Sequence, residues 1–147
     1  AAGGIGDGRG MAAAFMLGAC GVQLGTRFLA ADECSVHRNY KDKVLKANDL
    51  ATVTTGKRLG HPIRSLKSPF TRTLLDAEYS GISNKELEEM GAGRVALAAR
   101  EGDLQNGCFL AGQIAGMVNR EQPAAEIVRE LCQQAEALLK GAARWEK

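Results

Sequence analysis

The chain has 147 residues, 45% of them hydrophobic and 24% charged, which is the composition of one ordinary globular domain rather than of a disordered segment. Its net charge of +2, with no Lys and Arg run interleaved with aromatics, excludes the footprint of a nucleic-acid binder. No apolar stretch reaches the ~20 residues of a membrane span, and no basic region followed by an apolar core opens the chain. Cys20, Cys34, Cys108 and Cys132 show neither a disulfide rhythm nor zinc spacing. The expectation is a soluble, cytoplasmic protein with free thiols and no metal. Cys34 and His37 stand near each other, but two ligands do not make a site.

Residues 1–3 read as the end of a buried strand, and "GGIGDG" as a loop, because Gly permits positive φ and close backbone approach. "RGMAAAFMLGA" predicts a buried helix, with Met11, Ala14, Phe15 and Gly18 at helical spacing. "GVQLGTRF" reads as a short strand running into a loop. Loop, helix, strand and loop together are the repeating unit of a parallel α/β fold. "NYKDKVLKAND" predicts an amphipathic helix, with Tyr40, Val44 and Ala47 on one face and lysines elsewhere. "LATVTTG" has strand propensity through Val53 and its threonines. "GHPIRSLKSPFTRTLLDAE" is expected to wander past its prolines before a helix from about Phe70. Ser83 and Glu86 form a capping-box signature. "GRVALAAREGD" and "FLAGQIAGMV" read as two short helices. The last helix is expected to start at Pro123, with Ile127, Leu131, Ala135 and Leu138 as its apolar stripe.

Three readings compete for the first glycine loop. Gly8-Arg9-Gly10-Met11-Ala12-Ala13 matches the dinucleotide fingerprint, with Asp32 at the distance of the ribose acid. That motif must follow a strand directly, and here another glycine loop precedes it. A plain tight turn explains one or two glycines, but not why the next strand also ends in Gly25-Thr26. The third reading uses both loops. In a (β/α)₈ barrel the loops after strands seven and eight often hold a phosphate. Backbone N–H groups point at the anion, and side chains are absent so that it can approach.

The stretch "AAGGIGDGRGMAAAFMLGACGVQLGTRF" closely resembles the FMN-phosphate segment of the nitronate monooxygenase and enoyl-acyl-carrier-protein reductase II superfamily. "AADECSVHRNYKDKVLKANDL", "GHPIRSLKSPFTR", "EEMGAG" and "AGQIAGMV" look like the reductase II branch, and the resemblance covers essentially the whole chain. It implies the C-terminal part of a TIM barrel, comprising the end of strand seven, helix seven and strand eight over residues 1–36. A mainly helical segment would follow over residues 37–147. It implies FMN as cofactor, NADH or NADPH as hydride donor, and a trans-2-enoyl thioester on acyl carrier protein as substrate and partner, in bacterial fatty-acid synthesis. It leaves a homodimer open.

By the same resemblance Gly3 and Gly4 match the first phosphate loop, and Gln23, Gly25 and Thr26 the second. Gln113 in "AGQIAG" matches a segment that folds back towards the flavin. The family's active-site histidine lies upstream, so this chain holds no catalytic residue and is expected to be inactive alone. Neither histidine here matches it: His61 is expected to be a structural hydrogen-bonder and His37 to be solvated. Arg27 is expected to form an outward salt bridge, with positive charge near the phosphate as the alternative. Two rivals stand beside the reductase. One is a nitronate monooxygenase, which uses FMN and oxygen. The other is a non-catalytic helical binding module with a relic glycine loop.

Overall fold

The computed structural model describes residues 1–142. Ala2 and Gln23 pair in parallel as an isolated bridge, with the Gln23 amide donating to Ala1 O at 2.8 Å. Asp7 ends the intervening loop. Its carboxylate accepts from the Arg9 and Gly10 amides and so caps helix α1 (Gly8–Met16). Only part of the predicted α1 stripe is inward. Ala14 is buried, Met11 and Phe15 are half-buried, and Gly18 is exposed at φ +93° where it ends the helix. Met16 and Leu17 are 70% and 89% exposed.

The expected second strand contracts to the single bridging residue Gln23. Gly25 then turns the chain into a 3₁₀ helix, Thr26–Ala30. Helix α2 (Arg38–Leu45) follows, with Tyr40 and Val44 buried as expected and Ala47 half-buried. Its lysines are not all outward. Lys41 is only 7% exposed, and its ammonium donates to Ala31 O at 2.7 Å and Asp32 O at 3.4 Å. Those carbonyls follow the 3₁₀ helix, so Lys41 ties α2 to it.

Strands β1 (Thr52–Thr55) and β2 (Ile63–Leu66) form an antiparallel hairpin in the register Thr52↔Leu66 to Thr55↔Ile63. The segment expected to wander therefore contains a strand. Its other edge bridges to Leu110 through Ser65, and the Leu66 amide donates to Phe109 O at 2.8 Å. Helix α3 (Pro69–Tyr79) starts with a Ser68–Thr71 capping box. Helix α4 (Asn84–Gly91) has the expected box, Ser83 with Glu86. A short helix α5 (Arg94–Ala96) continues as a π-helical turn, Leu97–Glu101. A second 3₁₀ helix spans Gln113–Met117.

Helix α6 (Ala124–Gly141) begins one residue after Pro123, which is its N-cap. Ile127, Leu131 and Ala135 are buried, but Leu138 is 46% exposed, so the stripe stops a turn early. Helix α6 lies against α1. At the crossing a Cβ on Gly8 would sit 2.3 Å from the Gln134 Cβ, while the Gly8 amide donates to Gln134 Oε1 at 3.0 Å. A second core gathers α2, β2 and the 98–118 segment around Phe109 and Tyr40, whose rings meet edge to face at 5.0 Å.

Candidate functional site

The bridge between Ala2 and Gln23 fixes the geometry of both glycine turns. Because the pairing is parallel, Gly3-Gly4 and Gly25-Thr26 leave the same end of the pair, and Gly4 and Gly25 each stand two residues beyond it. Gly3 and Gly4 have φ of +84° and +72°, which side-chain-bearing residues rarely adopt. Gly25 has an ordinary φ of −113°. At all three a Cβ would meet nothing within 4 Å. Neither backbone strain nor packing among the described residues therefore explains Gly25. Among the described residues no hydrogen bond engages the amides of Gly4, Gly25 or Thr26.

Thr26 Oγ1 accepts from the Gly112 amide at 2.8 Å, and no described residue takes its own hydroxyl proton. The donor comes from "AGQIAG", 86 positions along the chain, and no spacing rule could have found it. The "AGQIAG" segment thus reaches the second turn through Gly112. Gln113 itself is exposed and opens the second 3₁₀ helix. A cleft of about 450 Å³ lies here, lined by Gly25, Thr26, Leu29, Tyr40, Leu110 and Gly112 among others. The Tyr40 hydroxyl donates to Leu110 O at 2.6 Å, and burial pushes the phenol well above its ordinary pKa. The cleft is lined by Leu29, Leu110 and Ala111, by a neutral tyrosine and by Arg64, with the unpartnered amides of Gly25 and Thr26 beside them.

Other expected residues lie elsewhere or act differently. Gln23 is exposed at the bridge, and its part in the pairing is played by its backbone. The dinucleotide fingerprint serves protein packing: Gly8 admits α6, Gly10 faces Ile5, and Asp7 and Gln134 already take the first amides of α1. Asp32 is exposed, and its amide donates to Gln122 O at 3.0 Å. His37 is half-buried rather than fully solvated. Its Nδ1 accepts from the Asn39 amide at 3.1 Å as the N-cap of α2, and the ring fills the space beside Gly102. His61 is exposed, and its amide rather than its ring makes the hydrogen bond, to Gly56 O at 3.2 Å.

Among the described residues Arg27 makes no outward salt bridge. It is 8% exposed, and its guanidinium donates to Gln122 Oε1 and, at 3.5 Å, to Arg120 O. Burial lowers its pKa, the charge of Glu130 opposes that shift, and Arg120 adds to it. A polar cavity of about 230 Å³ adjoins it, lined by Asp7, Asn119, Glu130 and Gln134 among others. Cys108 is buried, which pushes its thiol up; Cys20 and Cys132 are exposed. Among the described residues no group of three His, Cys, Asp or Glu side chains is placed to hold a metal ion, and no helix is long and apolar enough to cross a membrane.

Comparison with known proteins places this architecture. The sequence model for nitronate monooxygenase matches residues 1–134. Nitronate monooxygenase npaC of Metarhizium robertsii is 39% identical over 95% of this chain and 42% of its own length. A nitronate monooxygenase of Paraburkholderia phytofirmans is 37% identical over 89% of this chain and 36% of its own. The structure of FabK from Thermotoga maritima superposes with a TM-score of 0.93 at 43% identity, covering 98% of this chain and 46% of FabK. A nitroalkane oxidase of Streptomyces ansochromogenes superposes at 0.76 with 32% identity, over 96% of this chain and 40% of that protein. The chain therefore spans less than half the length of each of these relatives. With a family match over nearly all its length and an α/β arrangement shared with these enzymes, the chain belongs to the nitronate monooxygenase family of flavin-dependent oxidoreductases.

Proposed function

We propose that this chain forms the FMN-phosphate-binding end of an enoyl-acyl-carrier-protein reductase of the reductase II class, as the last part of a TIM barrel with its helical extension. The observation that carries the reading is the open, unpartnered edge at Gly3-Gly4 and Gly25-Thr26. Both turns leave one end of a parallel pair, their amides lack partners among the described residues, and no described atom occupies the space a Cβ would take. A phosphate fits that chemistry, since it needs N–H donors and the absence of side chains. Gly4, Gly25 and Thr26 would hold it through their amides. The Thr26 hydroxyl, steadied by the Gly112 amide, would add a donor.

FMN when bound supplies the hydride chemistry. The residues of this chain would anchor its phosphate, and the cleft between Thr26 and Tyr40, lined by Leu29, Leu110, Ala111 and Arg64, lies beside the same turn. NADH or NADPH would be the reductant, and an enoyl thioester on acyl carrier protein the substrate. The greater identity to FabK, over nearly the whole chain, favours this reading. A nitronate monooxygenase is the second reading, favoured by the names of the curated relatives and of the family. The full-length enzyme carrying this chain separates the two. NAD(P)H consumption that requires a crotonyl thioester supports the reductase. Oxygen uptake on a nitronate without NAD(P)H rejects it for the monooxygenase.

A further inference from the structure

We infer that Arg27 is a positioning residue that sets the Gly25-Thr26 turn for a phosphate, through a hydrogen-bonded relay running from its guanidinium to helix α6. The inference rests on the FMN reading above.

Residues 26 and 27 are adjacent, yet they are anchored to separate parts of the chain. Thr26 is held by the Gly112 amide. Arg27 reaches the segment before α6, where Gln122 Oε1 and Arg120 O accept from it. Gln122 does not stop there. Its Nε2 donates to Glu130 Oε2 at 3.0 Å, and the same oxygen accepts from Arg120 at 2.7 Å. Arg27, Gln122, Glu130 and Arg120 thus form one connected set. Gln122 is fixed as well through its backbone, whose amide donates to Ala30 O at 3.3 Å and whose carbonyl accepts from Asp32. Both ends of the 3₁₀ helix are therefore tied to the approach to α6.

Arginine is not an economical way to fill a buried site. A desolvated cation costs several kcal/mol unless well paired, and Arg27 makes no salt bridge with a described carboxylate; it reaches Glu130 through Gln122. A planar fork that grips two acceptors in fixed directions is what arginine adds over an apolar residue of the same size. The turn it follows needs such a grip. Gly25 has no side chain, and neither its amide nor that of Thr26 has a partner among the described residues. The Gly25 carbonyl accepts from the Phe28 amide at 2.9 Å, so the Gly25–Thr26 peptide plane moves with the first 3₁₀ helix, and whatever orients that helix orients the Thr26 N–H. A turn fixed beforehand binds its anion without first losing conformational freedom.

The test uses the full-length enzyme stripped of flavin and rebound to FMN or to riboflavin, which lacks the phosphate. Arg27→Met should raise the FMN Kd about tenfold, the size of one lost buried hydrogen bond, and leave the riboflavin Kd within about twofold. Gln122→Met removes the acceptor from the other side and should reproduce that selective loss, while Arg27→Lys should recover part of it. Equal weakening of both flavins in both Met variants overturns the inference, because the relay is then only structural. Unchanged FMN affinity in Gln122→Met with Arg27 intact also overturns it. If the unaltered enzyme binds FMN no better than riboflavin, the phosphate reading itself fails, and the inference fails with it.

Discussion

Gly8 and Gly25 stand seventeen residues apart and are glycine for opposite reasons. At Gly8 a Cβ would lie 2.3 Å from Gln134 Cβ and 2.8 Å from the Ala135 amide nitrogen, so helix α6 forbids any side chain. At Gly25 a Cβ would meet nothing within 4 Å, and the backbone is not left-handed. One region is glycine-rich because the protein fills the space, and the other because the protein leaves it open. A motif that spans both regions reads as one signal in the sequence, yet the two halves do different work. Glycine count alone cannot separate a helix crossing from an anion cradle; the occupancy of the missing Cβ can.

The largest expected effect tests the filled half. Gly8→Val forces a branched side chain into the backbone of α6 and should cost about 3 kcal/mol or more, the upper range for overpacking. Thermal unfolding should show the loss. A midpoint like that of the parent would mean that α6 gives way easily and that the crossing is not tight.

The open half should respond the other way. Gly25→Ala should change folding stability by less than about 0.5 kcal/mol, as an unclashing surface substitution does, yet deplete FMN in the full-length enzyme. Gly4→Val should deplete FMN too, and its φ of +72° adds roughly 1–2 kcal/mol of backbone strain. Flavin absorbance after desalting reads one effect and the unfolding midpoint the other. Full flavin content in Gly25→Ala would remove the main reason to see a cradle there. Thr26→Val touches both halves of the argument. It strands the Gly112 amide and removes a hydroxyl donor, so stability and FMN affinity should each fall by roughly 1–3 kcal/mol.

Much of this architecture is legible in the sequence because it is local. The helices at 8–16, 38–45, 69–79, 84–91 and 124–141 announce themselves by capping residues and apolar spacing. What escaped is long-range. Strand β2 sits between Pro62 and Pro69 and pairs on one side with Leu110, which nothing in "IRSL" reveals. Lys41 looks like one more solvated lysine of a polar face, but two carbonyls left over at the end of the first 3₁₀ helix draw it inward. Arg27 likewise reads as a surface charge until residues 120–130 fold beside it. The glycine turns were recognisable from their order, but the Gly112 amide that steadies Thr26 was not, because its partner lies in another part of the chain.

His37 offers a smaller effect, at the start of α2 and outside both glycine turns. His37→Ala removes the α2 cap and the ring that fills the space beside Gly102, so about 1 kcal/mol of stability should go, the usual cost of a lost N-cap. Flavin content and turnover of the full-length enzyme should stay as they are. A drop in flavin per folded molecule would mean that the α2 cap reaches the turns through Lys41, which ties α2 to the first 3₁₀ helix.

The smallest effect is a pH dependence at α4, which touches neither glycine region. The Glu86 carboxylate is held below its ordinary pKa, first by the Ser83 hydroxyl and then by the Ser83 amide, both of which donate to it. Its folded pKa is therefore lower than its unfolded one. The charged form is what the fold favours, so the stabilisation is fully present above the unfolded value, ~4.3 for glutamate. It is lost as pH falls through the folded value. Glu86→Gln keeps an oxygen that can accept from Ser83 but cannot carry charge at the helix start. The variant should melt slightly lower than the parent at pH 7, and the gap should close as the pH drops below ~4 and the parent's carboxylate protonates. Other lowered carboxylates, such as Asp103 and Glu130, also lose their charge there, so both proteins lose stability; only the difference between them isolates Glu86. A gap that stays constant from pH 7 to pH 3 would show that the cap acts through geometry alone, with the charge contributing nothing.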